Sequence, residues 1–235
     1  MSTTAQPKTA LVLAGGKGER LWPLTQDRPK PMVEVNGRPI VEHHLAWLRA
    51  NGVERTFLLT GYMHEVIAEH FSAPRIEGLE VRCIAEASPL GRGGAFKNAY
   101  REAGLADNAV IATNGDVLTE QPLAPLVEAH ERAGALATVM LTPMISPFGI
   151  VDTDGGLVTG FREKPPLPYW INAGVYVLTR EAIARFPDLG DHETETFPAL
   201  ASEGRLAAFE SGAYWKSVES QKDLREAGER LARAS

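Results

Sequence analysis

One cysteine, Cys83, occurs in 235 residues. That excludes an internal disulfide framework and any metal site built from several thiolates. No apolar run approaches the roughly 18 residues of a membrane span. The opening stretch Met1–Lys8 is short and polar and lacks the apolar segment of a secretory leader. A basic excess is also missing. The chain carries 24 Lys and Arg against 30 Asp and Glu, a formal charge of −6 at pH 7. That argues against wholesale nucleic-acid binding but leaves room for a small cationic site. No repeat, low-complexity stretch or Pro/Gly/Ser linker divides the chain. The six histidines show no metal-ligand spacing, and all read as structural or surface residues. The sequence therefore reads as one cytoplasmic domain over 1–235, long enough to bury a core without covalent staples.

What is present is an alternation of strand-like and helix-like segments. Thr9–Ala14 is a short apolar run closed by Gly15-Gly16, the mark of a strand buried on both faces. Pro39–Ala50 has helical spacing, with Pro39 suited to a first turn and Gly52 to a stop. Strands are predicted at Thr56–Thr60, Leu79–Ala85 and Asn108–Thr113, and helices at His64–Phe71 and Gly94–Ala103. Strand–helix alternation predicts a parallel α/β sheet. The second half reads differently. Strands are predicted at Ala135–Thr142, Phe148–Asp152, Val158–Phe161 and Ile171–Leu178. Asp154-Gly155-Gly156 reads as a turn, and Glu195–Glu203 and Gln221–Arg233 as helices. The expectation is a Rossmann-like half and a mixed-sheet half sharing one core. Cys83 is expected in a buried strand, and Phe148, Trp170 and Tyr176 in the core.

The loop after the first strand reads Leu13-Ala14-Gly15-Gly16-Lys17-Gly18-Glu19-Arg20. Its glycines allow close backbone approach and an amide nest for an anion, and Lys17 and Arg20 add cations. The same residues also suit a plain glycine turn with two solvated cations. The spacing matches neither the Walker A motif nor the dinucleotide G-x-G-x-x-G. Downstream, Arg28-Pro29-Lys30-Pro31 places Lys30 between two prolines, which predicts stiff, extended backbone there. Such a lysine suits a phosphate met in one geometry. In isolation, a rigid surface turn is the equal reading.

The stretch LVLAGGKGERLWPLTQDRPKPMVEVNGRPI resembles the signature of the sugar-1-phosphate nucleotidyltransferases. The family form runs G-G-x-G-T-R-L, then P-L-T, then P-K-P. Here only the Thr position departs, as Glu19. The resemblance continues at Glu86–Gly94, Asn114–Asp116, Phe148-Gly149, Glu163-Lys164-Pro165 and Asn172-Ala173-Gly174. It implies an α/β, Rossmann-like nucleotidyltransferase domain with a mostly parallel mixed sheet flanked by helices. Residues 1–120 would bind nucleotide and 121–235 sugar phosphate. With the last predicted helix ending near Ser235, no C-terminal β-helix of the longer relatives is expected. A homodimer through the second half fits the family but is not readable in the sequence.

The resemblance also implies a reaction and its residues. A sugar 1-phosphate would attack the α-phosphorus of a nucleoside triphosphate and release pyrophosphate. Leu13, Ala14, Gly15 and Gly16 would meet the nucleotide, and Lys17, Gly18 and Arg20 the pyrophosphate. Lys30, with Arg20 one of two catalytic cations, would stabilise charge near the α-phosphorus. Glu86, Leu90 and Gly91 are candidate base contacts, and Asn114 a nucleotide contact. Gly115, Gly149, Glu163, Lys164, Asn172 and Gly174 would face the sugar phosphate. Asp116 would hold Mg²⁺.

Two departures bear on this. Arg92 stands where Thr is common, and reads either as a solvated loop cation or as an extra phosphate or base contact. Ser217 stands where many relatives place the second metal-binding acid. Glu219 lies two residues on, on the same side if that stretch is a strand. It is the candidate second metal ligand, the other reading being an exposed Glu before a helix capped by Ser220. The overall look favours GTP with a mannose- or heptose-type 1-phosphate. UTP, dTTP or CTP with a glucose-type 1-phosphate is the alternative. A non-catalytic nucleotide-sugar-binding regulator is the reading from another class.

Overall fold

The computed structural model describes residues 6–234, the side chain of Ala234 excepted. The first five residues of the polar opening stretch, and Ser235, lie outside the described residues. The chain begins with β1 (Thr9–Leu13), two 3₁₀ turns (Glu19–Leu21 and Lys30–Met32), β2 (Glu34–Val35), β3 (Arg38–Pro39) and α1 (Ile40–Ala50). It continues through β4 (Arg55–Thr60), α2 (His64–His70), β5 (Glu80–Ala85), α3 (Gly91–Glu102), β6 (Ala109–Asn114) and β7 (Val117–Thr119). Next come α4 (Leu123–Ala133), β8 (Ala137–Ile145), β9 (Ile150–Asp154), β10 (Leu157–Arg162) and β11 (Pro166–Thr179). Then follow α5 (Arg180–Ala184), α6 (Thr196–Ser202), β12 (Leu206–Glu210), β13 (Trp215–Ser217) and α7 (Gln221–Ala234).

Seven strands form one sheet in the order β12-β8-β11-β6-β1-β4-β5. β11 is antiparallel to both neighbours, and every other pairing in this sheet is parallel. The mixing expected of the second half is therefore the work of one strand. Helices cover both faces, which is why β1 reads as an unbroken apolar run. Ala10 and Val12 pack with Val41, Leu45 and Leu48 of α1, Ile67 of α2 and Leu126 of α4. Leu11 faces the other way, toward Phe96 and Ala99 of α3, Ile183 of α5 and Leu200 of α6. A third, smaller core joins Ala227 of α7 to Leu21, Val33, Leu118 and Val218. It clamps the chain around both 3₁₀ turns.

Several expectations are corrected. Pro39 does not enter the helix; it stands in extended conformation one residue before α1. α3 starts at Gly91, not Gly94, because the Gly93 and Gly94 N–H groups both donate to Gly190 O, which caps the turn from outside. α4 has no counterpart among the expected helices, although Leu123, Leu126, Val127 and His130 hold helical spacing and Gly134 ends it in left-handed conformation. Cys83 is half-buried, and burial pushes its thiol pKa up. Tyr176 is fully buried as expected, but Phe148 is 75% exposed and Trp170 43%. Phe148 leads into β9–β10, a separate two-stranded hairpin exposed along nearly its whole length. Among the described residues, no helix is long and apolar enough to cross a membrane.

Candidate active site

The carboxyl ends of β1 and β6 are adjacent in the sheet, with Leu13 opposite Asn114. Ligands of open α/β sheets collect outside such strand ends. The chain leaves β1 through exposed Gly15 and Gly16, whose backbone is open to solvent. Gly18 has φ 69°, and a Cβ there would come within 2.7 Å of the Lys30 Cβ. A side chain at 18 would thus displace Lys30. The Lys30 N–H donates to Gly16 O at 3.2 Å, and the Thr25 hydroxyl donates to Gly18 O at 3.0 Å. The glycine loop and the lysine turn are one unit. The backbone prediction there needs correction. Pro29 is extended, but Lys30 opens a 3₁₀ turn, and it is buried, 7% exposed.

A lysine ammonium this deep needs anionic partners. Lys30 Nζ donates to Asp116 Oδ2 at 2.6 Å and Glu219 Oε1 at 2.7 Å. Arg20 pairs with the other Glu219 oxygen at 2.6 Å, although Arg20 itself is largely exposed. Two acids 103 positions apart in the numbering of Asp116 and Glu219 meet because β7 and β13 pair antiparallel, with Val117 opposite Ser217. The Val218 N–H then donates to Asp116 O at 3.0 Å. β13 ends at Ser217, so Glu219 is not a strand neighbour of Ser217 as anticipated. The chain turn still brings them together, and the Ser217 hydroxyl donates to Glu219 Oε1 at 3.0 Å. Ser220 does cap α7, accepting from the Asp223 N–H.

Burial alone would raise the Glu219 pKa. The Lys30 hydrogen bond and charge, then Ser217 and Arg20, outweigh burial and hold it below the ordinary carboxylate value. Asp116 Oδ1 and Asn114 Oδ1 are buried without a hydrogen-bond partner. Unpaired buried acceptors beside two carboxylates are suited to a cation. Among the described residues, no group of three or more His, Cys, Asp or Glu could hold a metal. The protein thus offers two carboxylates at most, the donor set Mg²⁺ takes when phosphates complete its shell.

A cavity of about 430 Å³ opens from this cluster. Leu13, Gly15, Gly16, Lys30, Glu86, Gly91, Asn114, Asp116 and Glu219 all line it. Lys17, Gly18 and Arg20 border an adjoining hollow that shares Gly16, Lys30, Asp116 and Glu219. Burial raises the Glu86 pKa, only partly offset by the Leu90 N–H that donates to its carboxylate. Ala14 is buried and donates its N–H to Leu59 O, and the Gly115 N–H donates to Leu13 O. These two hold the strand ends together and do not line the cavity.

The predicted sugar-side residues are more dispersed. Gly149 and Glu163 meet on the hairpin, where a Cβ at 149 would lie 3.2 Å from Glu163 Oε2. Lys164 sits in left-handed conformation and is 3.4 Å from the Glu163 carboxylate. Gly174, at φ 68°, packs on Asn114, so that a Cβ would come within 2.5 Å of Asn114 Nδ2. That contact ties β11 to the cavity wall. Arg92 is neither a loop residue nor a free cation. It lies on α3 and pairs with Asp191 and Glu193. The segment carrying these acids, Pro187–Glu195, was missed, because nothing in Asp191-His192-Glu193-Thr194-Glu195 distinguishes it from a solvated acidic turn.

The nucleotidyl transferase family model matches residues 9–234. The chain belongs to the nucleotidyl transferase family. A mannose-1-phosphate guanylyltransferase of Mycobacterium tuberculosis (strain ATCC 25618 / H37Rv) is 36% identical over 92% of this chain. A mannose-1-phosphate guanyltransferase of Aspergillus fumigatus is 32% identical, again over 92% of the chain. The chain spans 62% of the length of each of these relatives. Among solved structures, HddC from Yersinia pseudotuberculosis superposes with a TM-score of 0.78 at 28% identity, covering 95% of this chain and 99% of that one. HddC is also known complexed with GMP-PN, and that structure superposes at 0.76 with 26% identity. As a nucleotidyl transferase domain, the chain has the architecture the resemblance implied.

Proposed function

We propose that this nucleotidyl transferase domain moves a nucleotidyl group from a nucleoside triphosphate, GTP by preference, to a sugar 1-phosphate. The observation that carries the reading is the Lys30 ammonium held between Asp116 and Glu219 at the mouth of the Gly15–Gly18 loop. The sugar-phosphate oxygen forms a bond to the α-phosphorus as the bond to the β-phosphate oxygen breaks, and pyrophosphate leaves. A phosphate monoester is already ionised, so no side-chain nucleophile or strong base is needed. Catalysis is then positioning and charge stabilisation.

In this reading Leu13, Gly15 and Gly16 receive the nucleotide, with Lys17, Gly18 and Arg20 at the departing pyrophosphate. Lys30 is aimed at the charge that builds on the α-phosphoryl oxygens. Asp116 and Glu219 would hold the divalent cation, Mg²⁺, with their own charge balanced by Lys30 and Arg20 until it binds. A cation bound there supplies charge neutralisation to the phosphate oxygens. Glu86, with the backbone of Leu90 and Gly91, takes the base. Guanine offers two adjacent N–H donors, which a carboxylate accepts together, whereas uracil and thymine offer one. Gly149, Glu163, Lys164 and Gly174 face the sugar phosphate, with Gly115 and Asn172 bracing the strands behind them, so that residues 1–120 carry most of the nucleotide contacts and 121–235 most of the sugar-phosphate contacts. The guanylyl preference is supported by the likeness to mannose-1-phosphate guanylyltransferases and by the nucleotide bound to HddC. We read the enzyme as cytoplasmic and, from its acidic balance, without a nucleic-acid partner.

Ser217 gives little support to a non-catalytic sensor, since a carboxylate stands beside it at Glu219. The test is pyrophosphate release with Mg²⁺, crossing five triphosphates against mannose-, heptose-, glucose- and N-acetylglucosamine 1-phosphates. Turnover with GTP and one sugar is expected. Silence with every pair, despite nucleotide-sugar binding, would replace the enzyme by the sensor.

A further inference from the structure

Asn172 makes a hydrogen-bond set with only one solution. Its Oδ1 accepts from the Gly174 N–H at 2.9 Å. Its Nδ2 donates to the Tyr176 hydroxyl at 2.9 Å and to Glu193 Oε1 at 2.9 Å. The Tyr176 hydroxyl donates to that same oxygen at 2.8 Å. A backbone N–H can only donate and a carboxylate only accept, so the amide cannot be turned over. Both Nδ2 protons are used. Asn172 therefore has no free donor for a ligand, and it acts by fixing Gly174, which packs on Asn114 in the cavity wall.

Glu193 is itself held from the nucleotide side. Its Oε2 lies 2.8 Å from Arg92 Nη1. Arg92 also donates from Nε to Asp191 Oδ2 at 2.7 Å, with a second contact from Nη2 to that oxygen. Asp191 Oδ1 accepts from the Glu193 N–H at 3.0 Å. Arg92 follows Gly91 at the start of α3 and lines the cavity with Glu86. The Gly190 backbone bonds to Leu90, Gly93 and Gly94, so this segment is fastened to the same helix start. A connected path thus runs from the base-side helix to the sugar-side strand: Arg92, Glu193, Asn172, Gly174, Asn114.

We propose that Arg92 and Glu193 are positioning residues for the sugar 1-phosphate, acting from the nucleotide side of the cavity through Asn172 and Gly174. This rests on the sugar-side reading of that strand. Arginine suits the task because its rigid planar fork holds both carboxylates in one fixed geometry, whereas a lysine ammonium is a point charge on a flexible stem.

The test uses the full chain with steady-state kinetics and melting curves. In Glu193→Gln the KM for mannose 1-phosphate should rise about tenfold, the effect of losing one hydrogen bond to a charged group. The KM for GTP should stay within about twofold, since Glu193 bonds to Asn172, Tyr176 and Arg92 and to none of Leu13, Gly15, Gly16 and Glu86. Arg92→Met should give the same split, Arg92→Lys should not restore it, and the Arg92→Met/Glu193→Gln pair should be no worse than either alone. A purely structural role would instead lower the melting temperature and depress both substrates alike. Equal changes in both KM values, additive effects, or an unaltered KM for mannose 1-phosphate in a folded Glu193→Gln protein would overturn the proposal. Should the wild type release no pyrophosphate with any pair, the catalytic reading fails separately. Calorimetric titration with mannose 1-phosphate then decides, and equal affinity in wild type and Glu193→Gln refutes the positioning role.

Discussion

Replacing Lys30 by Met tests the centre of the site most directly. The substitution keeps the stem and removes an ammonium whose side chain is only 9% exposed. Asp116 Oδ2 and Glu219 Oε1 lie 2.6 and 2.7 Å from that nitrogen, so they are at most about 5 Å from each other. At an effective dielectric near 20, two such charges repel by about 3 kcal/mol. Glu219 is a third exposed and keeps Arg20, so solvent and that guanidinium trim the figure. Breaking a buried pair typically costs ~3–5 kcal/mol, which a domain with ~5–15 kcal/mol of stability survives folded. For a chain of this size the melting temperature should drop by about 6–20 °C in the absence of divalent cations. Added Mg²⁺ should recover more of that loss in the variant than it gives the wild type, because it supplies the missing positive charge. Turnover should still fall by ~10²–10³, since the cation aimed at developing charge is gone. A folded Lys30→Met protein with near-normal turnover, or with an unchanged melting temperature at low metal, would refute this account of the cluster.

Burial pushes the pKa values of both His44 and His192 down to about 4. Against an unfolded value near ~6.5, the unfolded chain takes up protons first. Stability is therefore full above about pH 6.5 and lost as pH falls toward about 4. His192 has neither ring nitrogen bonded and sits among Phe96, Tyr176, Phe186 and Phe197. His192→Phe should flatten that acid decline, and a melting series from pH 7 to 4 with the wild-type slope would contradict it. Glu86→Gln should erase the distinction between GTP and ITP, which lacks the guanine amino group; an unaltered ratio of kcat/KM would remove Glu86 from base recognition. Ser217→Asp puts a second carboxylate next to Glu219 Oε1, where like charges resist joint ionisation. We expect the acid limb of the pH–rate profile to move upward with no gain in Mg²⁺ affinity, and a clear gain would identify position 217 as the better ligand site.

The parts of the site legible in the sequence are those whose chemistry is local. Gly15 to Arg20 and Pro29 to Pro31 carry their meaning in neighbouring residues, and β1 shows its two-sided burial in five consecutive letters. The meeting of Asp116 with Glu219 rested on resemblance alone. It depends on β7 and β13, three residues each, too short for any periodic signal. α4 is legible in the sequence, for its apolar positions follow the helical repeat. Phe148 and Trp170 misled for a different reason. Aromatic residues usually fill cores, but Phe148 leads into a two-stranded hairpin with no second layer to bury it, and Trp170 lies on the exposed first half of β11.

Arg92 shows most clearly where reading along a chain stops. Its identity is a departure within an otherwise familiar loop, so the sequence invites an explanation at that loop. The explanation lies at Asp191 and Glu193, which no short-range pattern connects to it. A charged residue at a ligand cavity is ordinarily taken for a ligand contact. Here its guanidinium is already paired with the Asp191 and Glu193 carboxylates, and in the positioning role it acts through Asn172 and Gly174. In the positioning role, substituting such a residue should perturb one substrate without touching it. That is why the division of KM effects between GTP and mannose 1-phosphate is more informative at position 92 than loss of activity.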